Sequence, residues 1–249
     1  MPLLIGQPKS TQSVYLWTKN VQSCLLCDDK TDAPFPLCHA CELDLPWLRT
    51  QCQRCALPLP VDGICPQCQQ KPPAFERVIA PWRYDFPVDS LISRFKHQAN
   101  WPFGRLLGER LAEHLRQQFA GGLAKPDVLL PVPLGKGRLR ERGFNQAELL
   151  ARWLADALQI KSLPQALQRR RDTPPQQGLD AVTRKRNLRG AFAFATGFEP
   201  RNLHIALVDD VLTTGATAEA LAQLLQQNGA KRVDVYCLAR TPKAGGRMP

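Results

Sequence analysis

Apolar residues recur along the middle of this chain at spacings that predict helices and short buried strands. Phe103, Leu106, Leu107, Leu111 and Leu115 fall on one face of a 3.6-residue period and predict an amphipathic helix. A second stripe, Ala147, Leu150, Ala151, Leu154 and Leu158, starts just after Asn145, and Asn145 with Glu148 has the form of a helix cap. Between the two stripes, Val128-Leu129-Leu130-Pro131-Val132 reads as a short apolar strand that ends in prolines. Further on, Ile205-Ala206-Leu207-Val208 and Val233-Asp234-Val235-Tyr236-Cys237-Leu238 are strand runs, separated by a helical stretch over residues 217–228 that Gly229 closes. Strands alternating with helices predict an α/β domain built on a parallel sheet.

The chain before this region is of another kind, rich in cysteine and without long helical periodicity. The tract Gln69-Gln70-Lys71-Pro72-Pro73 reads as an extended linker, dividing residues 1–72 from 73–249. Eight of the nine cysteines form four CxxC pairs: Cys24/Cys27, Cys38/Cys41, Cys52/Cys55 and Cys65/Cys68, with about ten residues between pairs. A CxxC knuckle turns both sulfurs toward one ion, and two knuckles complete a tetrahedral thiolate site. Eight thiolates therefore suit two structural zinc ions, whose saturated coordination leaves no open position for catalysis; disulfides and iron–sulfur chemistry are the alternatives. Sequential pairing of the knuckles is the simpler scheme; interleaved pairing stays open on spacing alone. His39 lies inside a knuckle, but four sulfurs per ion are already present, so it reads as a surface residue. Cys237, on an apolar strand, reads as a core thiol.

Charge sharpens the expected partners. The 33 Lys and Arg against 22 Asp and Glu leave a formal charge of +11, which favours nucleic acid, phosphorylated ligands or an anionic membrane. A basic protein with no such partner is the plainer alternative. No apolar stretch is long enough to cross a bilayer. The N-terminal Met1-Pro2-Leu3-Leu4-Ile5 turns polar without the apolar core of a signal peptide. Together with thiols paired for metal, this places the expected location in the cytoplasm.

The densest chemistry lies in Ile205-Ala206-Leu207-Val208-Asp209-Asp210-Val211-Leu212-Thr213-Thr214-Gly215-Ala216-Thr217. An apolar strand delivers two carboxylates to its carboxyl end, where α/β sheets bind ligands. The small-residue loop Thr213, Thr214, Gly215, Ala216 and Thr217 then enters a helix, whose N–H groups and hydroxyls suit a phosphate. Adjacent acids suit the vicinal hydroxyls of a sugar. An ordinary strand–turn–helix with a capping threonine would not call for the acidic pair.

This segment resembles the phosphoribosyl-pyrophosphate signature of type I phosphoribosyltransferases. Pro131-Val132-Pro133-Leu134 and Arg138-Leu139-Arg140-Glu141-Arg142-Gly143-Phe144-Asn145-Gln146 are similar to ComF-type proteins, a family that includes the GntX-like proteins. Arg171, Thr173, Gln176, Leu179, Arg184, Asn187 and Gly190-Ala191-Phe192 extend the resemblance over nearly the whole chain. It implies a type I phosphoribosyltransferase-like parallel-sheet domain behind a small double zinc-ribbon module. By the same resemblance, Pro133, Leu134, Gly135 and Lys136 form the loop that meets pyrophosphate, and residues 169–187 form a mobile loop over the site. The latter stretch is rich in Arg and Gln and lacks apolar periodicity, as a solvated loop would. Arg138, Arg140 and Arg142, spaced by two, would lie together on an extended segment facing phosphate or nucleic acid; a merely solvated role is the alternative for the arginines of the loop, Arg171 and Arg184 among them.

Three functional readings follow. An enzyme would hold phosphoribosyl pyrophosphate, or a related phosphosugar, with magnesium bridging its oxygens, while an unidentified base or amine displaces pyrophosphate. A nucleic-acid accessory protein would bind single-stranded DNA along basic loops and aromatics such as Trp47, Trp82 and Trp101, unless these are core residues. A regulator would sense the nucleotide precursor without turnover. ComF-type proteins are implicated in handling incoming single-stranded DNA during natural transformation, so the resemblance implies a role in DNA uptake or processing, with DNA-uptake proteins as further partners.

Overall fold

The computed structural model describes residues 22–170 and 190–243. Arg171, Thr173, Gln176, Leu179, Arg184 and Asn187 lie outside the described residues.

The N-terminal module is two small metal-site lobes with little regular structure. Strands β1 (Gln22–Ser23) and β2 (Lys30–Thr31) pair antiparallel, and helix α1 (His39–Leu43) carries the second knuckle of the first lobe. Helix α2 (Pro66–Gln70) does the same for the second lobe, with Pro66 at its first position. Gln69 and Gln70 thus finish a helix rather than begin the expected linker.

The larger domain is built on strands β3 (Arg77–Ile79), β4 (Trp82–Arg83), β5 (Val128–Pro131), β6 (Lys161–Ser162), β9 (His204–Leu212) and β10 (Arg232–Arg240). Their order is β3-β10-β9-β5-β6, with β4 also against β10, and every pairing is parallel. A parallel sheet needs cover on both faces, which is why β9 and β10 are buried at nearly every position. Helices α3 (Val88–Gln98), α4 (Trp101–Ala120) and α6 (Gln146–Leu158) cover one face, where Phe95, Leu111, Leu150 and Leu154 meet Ala206, Val208, Tyr236 and Leu238. Helix α7 (Ala216–Gln227) covers the other, where Leu221 and Leu225 meet Leu130, Leu207 and Val235. Strands β7 (Leu167–Arg169) and β8 (Phe192–Phe194) form a separate antiparallel pair.

Several expectations hold in detail. All five residues of the stripe from Phe103 to Leu115 are buried. Asn145 caps α6, its Oδ1 accepting from the Ala147 N–H at 3.1 Å, while its Nδ2 donates to the Val132 carbonyl. The two central strands run further than expected. They stay paired out to Leu212 and Arg240, so the acidic pair lies within β9 and not beyond its end. Arg169, expected in a solvated loop, is instead paired opposite Phe192 in β7, with its guanidinium 5.5 Å from that ring.

The module is joined to the sheet by backbone hydrogen bonds. The Leu48 N–H donates to Pro81, and the Val78 N–H donates to Arg54, each at 2.8 Å. Trp47 packs against Trp82, ring centroids 5.5 Å apart, and Arg110 on α4 pairs with Glu42. Trp82 has no exposed surface and is a core residue, so it cannot serve an open groove.

Helices α3 and α4 approach closely because Gly104 faces Phe95. A Cβ at position 104 would lie 2.5 Å from the Phe95 ring. Gly104→Ala gains helix propensity of roughly 1 kcal/mol but overpacks a full core, which costs about 1–3 kcal/mol. Net destabilisation is expected, read as a lower urea midpoint in zinc-saturated protein; an unchanged or raised midpoint would show that the helices separate freely.

Candidate functional site

Backbone N–H groups point at one sulfur in three of the four CxxC knuckles. The Leu26 N–H points at Cys24 Sγ (3.5 Å), that of Cys41 at Cys38 Sγ (3.5 Å), and that of Cys65 at Cys52 Sγ (3.3 Å). Burial opposes ionisation of Cys24 and Cys52, but the backbone N–H groups outweigh it and bring them down to about 6 and about 7. Cys24, Cys27, Cys38 and Cys41 form one cluster, and Cys52, Cys55, Cys65 and Cys68 the other, with all sulfurs in each within 4.8 Å of one another. Pairing is therefore sequential. A tetrahedron with Zn–S bonds of about 2.3 Å has S···S edges of roughly 3.8 Å, close to the 3.6 Å between Cys27 and Cys38 and the 3.7 Å between Cys55 and Cys65. The donor sets fit zinc. His39 is exposed outside the first cluster, and Cys237 is buried in β10, its thiol pushed up to about 12 by burial and by Asp209.

The second site lies at the carboxyl edge of the parallel sheet. Side chains alternate along β9, so Asp210 shares the face of Ala206 and Val208, toward α3. There Lys96 Nζ sits 3.0 Å from Asp210 Oδ2, in a pair that is mostly buried. Lys96 is a residue of this candidate site that sequence reasoning missed. The signal for its helix is present, since Val88, Leu91, Ile92 and Phe95 have helical spacing and are all buried. Its partnership with a carboxylate more than a hundred residues away has no local signature.

Asp209 lies on the opposite side of the strand, half-buried, its Oδ1 accepting from the Asp210 N–H at 2.9 Å. Burial and the neighbouring Asp210 charge raise its carboxyl to about 7, with Lys96 pulling the other way. Beyond Leu212 the exposed Thr213 and Thr214 lead to Gly215, at φ +77°, and then to α7. The left-handed backbone there favours glycine, and space above it is open: an added Cβ would meet nothing within 4 Å. Thr214 Oγ1 faces the Ala216 N–H at 3.5 Å, and Thr217 is half-buried in the first turn. These groups leave a lined, open cradle at a helix N-terminus.

Strand β5 lies beside β9 and runs the same way, so the loop of Pro133, Leu134, Gly135 and Lys136 leaves the sheet at the same edge. The Val132 N–H donating to the Val208 carbonyl and the Asn145 side-chain Nδ2 donating to the Val132 carbonyl fix its root. The structure thus brings the two loops expected to hold ligand to one edge. Arg138, Arg140 and Arg142 differ from expectation. They lie on helix α5 (Lys136–Arg142), where residues two apart point nearly opposite ways. Arg138 and Arg142 share a face and Arg140 does not; Arg142 is half-buried and donates to Gln146 Oε1 at 3.1 Å.

Arg240, 7% exposed, ties this edge to the second metal cluster. Its Nε donates to the Cys55 carbonyl at 2.9 Å, and its Nη1 donates to the carbonyls of Leu212 (3.0 Å) and Thr213. Cys55, Cys68, Thr214, Gly215 and Arg240 line one cavity of 680 Å³ between the second lobe and α7. Arg240 is a second residue absent from the sequence reading, for the same reason as Lys96.

Residues 21–69 match the double zinc ribbon domain family, so the two clusters are zinc sites of four thiolates each. The "DNA utilization protein YhgH" of Escherichia coli K12 is 37% identical over 207 residues, covering 82% of this chain and 90% of that protein. "Competence protein F" of Haemophilus influenzae is 33% identical, covering 83% and 85%. "Competence protein ComFC" of Bacillus subtilis is 26% identical, covering 88% and 95%. Among solved structures, a purine phosphoribosyltransferase from Pyrococcus horikoshii is 23% identical over 56% of this chain and 75% of its own, with a TM-score of 0.34. No helix among the described residues is long and apolar enough to cross a membrane. With its double zinc ribbon, its parallel α/β domain and relatives alike over most of their length, the chain belongs to the ComF family.

Proposed function

We propose that this chain binds phosphoribosyl pyrophosphate with magnesium, binds single-stranded DNA, and acts in DNA uptake or DNA processing in the cytoplasm. The observation that carries the first part is the juxtaposition of an acidic pair with an open glycine cradle at one sheet edge. Asp209 and Asp210 accept hydrogen bonds from the ribose hydroxyls. Thr213, Thr214, Gly215, Ala216 and Thr217 hold the 5′-phosphate, and Pro133, Leu134, Gly135 and Lys136 meet the pyrophosphate, where magnesium offsets its charge. Lys96 positions Asp210. In this reading residues 1–72 are the zinc module and 73–249 the ligand-binding domain, and reducing conditions keep the thiolates available. The names of the relatives support a DNA-related role, with DNA-uptake proteins as candidate partners. Transfer of the phosphoribosyl group to a base or amine, and sensing without turnover, use the same site; pyrophosphate release against a panel of bases, amines and single-stranded DNA separates them.

The acidic pair makes the binding pH-dependent, with a sign that follows from Asp209. Its carboxyl is raised, so it is mainly protonated below about 7 and accepts charge-assisted hydrogen bonds from ribose hydroxyls once ionised. Ligand affinity should rise with pH, by about tenfold between pH 6 and pH 8 for one required ionisation. Calorimetry at both pH values, compared with Asp209→Asn, isolates this carboxyl from the ligand's own titration. Equal pH dependence in both proteins would remove Asp209 from the binding step. Failure of the wild-type chain to bind the ligand at any pH would overturn the phosphosugar reading.

A further inference from the structure

Most large aromatic side chains in this fold are enclosed, and Trp101 is a departure. It opens α4 and is 46% exposed, although its ring stacks on Phe144 with centroids 5.5 Å apart and an interplanar angle of 28°. The pair is held from below. Phe144 packs on Phe95 at 5.7 Å, Phe95 packs on Trp153 at 5.9 Å, and Phe95 is wholly buried against Gly104. A tight turn with Ala99 at φ +50° presents Trp101 at the end of α3, one turn beyond Lys96. Phe144 in turn follows Gly143, which terminates α5.

Helix α5 has no buried residue. Of its seven residues, Lys136, Arg138, Arg140 and Arg142 are cationic against one anion, Glu141, and Leu139 is 43% exposed. A helix without an apolar anchoring face gains little from packing, so its sequence is free to serve a surface role. Lys96, which pairs with Asp210, is the chain neighbour of Phe95, and the Phe95 ring meets Phe144 and through it Trp101, so one helix joins this surface to the acidic edge. A rigid, partly exposed aromatic stack beside a basic helix is what unpaired bases on a phosphate backbone require: a π-face for stacking and cations along the strand.

We infer that Trp101, supported by Phe144 and flanked by α5, is a base-stacking platform for single-stranded nucleic acid on the α/β domain itself. The platform rests on the single-strand reading above and specifies where that strand lies. Because stacking is indifferent to base identity, binding should depend little on sequence.

The test uses the zinc-loaded full chain and a labelled oligothymidylate of about 16 nucleotides, long enough to cover a single-strand site. Anisotropy at low salt should show wild-type binding, and Trp101→Ala should weaken it about tenfold, the loss of one stacked base, with Trp101→Phe recovering most of it. An abasic strand of equal length needs no altered protein. It should bind wild type about as weakly as the thymidylate binds Trp101→Ala, and be insensitive to that substitution. Arg138→Ala should lower the salt slope by about 0.7, the loss of one phosphate contact on a single strand. If wild type binds and Trp101→Ala, with its zinc intact, binds equally well, the platform is overturned while single-strand binding stands. Equal wild-type affinity for abasic and thymidylate strands overturns the platform as well. No binding by wild type overturns the single-strand reading on which it rests.

Discussion

Replacing Asp209 and Asp210 together with asparagine should weaken binding of magnesium phosphoribosyl pyrophosphate by on the order of a hundredfold or more. Charge-assisted hydrogen bonds contribute roughly 1.5–3 kcal/mol each, and the double variant loses two such acceptors at nearly constant shape. Two opposing effects arise in the fold. Removing acids lowers repulsion toward the phosphates, and Lys96 loses the carboxylate 3.0 Å away, leaving a mostly buried ammonium nearby. Both would draw the anionic ligand in and mask part of the loss. Asp209→Asn alone preserves the Lys96–Asp210 pair and is the cleaner measurement. Gly215→Val tests the loop with both carboxylates in place. At φ +77° a branched residue is strained, at a cost of about 1–3 kcal/mol, and its side chain would fill space that is open above glycine. Calorimetry reads all three variants, and an unchanged circular dichroism spectrum verifies their fold. If wild-type protein ignores the ligand at millimolar concentration with magnesium present, the signature is a relic and neither transfer nor sensing occurs here.

Loss of zinc should be the most damaging change to the chain, and its effect should differ between the two sites. Purified protein should carry about two zinc ions, and Cys24→Ser or Cys68→Ser should each remove about one. Structural zinc supplies roughly 10–16 kcal/mol of apparent binding free energy to zinc-finger peptides, far beyond what lobes with two-residue strands and five-residue helices provide. Each variant should therefore unfold its own lobe. The second lobe reaches the ligand edge through Arg240, which holds the Cys55 carbonyl and the Leu212 and Thr213 carbonyls with one guanidinium. Cys68→Ser should accordingly raise hydrogen exchange over residues 212–217 and weaken phosphosugar binding. The first lobe rests on α4 through the Glu42–Arg110 pair, so Cys24→Ser should leave that loop protected. Elemental analysis without zinc, or disulfides in reduced preparations, would refute the metal assignment. Equal loop protection in both variants would show that Arg240 holds the loop without the lobe.

Features that depend on neighbours along the chain were legible before any folding was considered. Two sulfurs in a CxxC turn reach one ion whatever surrounds them, and so the four knuckles for two ions followed from spacing, whereas which knuckles share an ion was decided by the fold. The same holds for the Asn145 cap, the buried stripes of α4 and α6, and the strand–acid–acid–glycine–helix unit, because each is a local solution to satisfying backbone groups and burying one face. Which distant segments meet is another matter, and packing alone settles it. Period-two alternation in β9 sends Asp210 toward α3, yet only packing brings Lys96 there; Arg240 finds Cys55 across 185 residues. Packing also chose among chemically identical candidates, enclosing Trp82, half-burying Trp47 and leaving Trp101 exposed. The arginines of α5 show the limit most plainly. Their spacing by two suits an extended strand, but the segment between Gly135 and Gly143 has no neighbouring strand among the described residues to supply ladder bonds and closes its hydrogen bonds within itself as a helix, which turns Arg140 away from the other two.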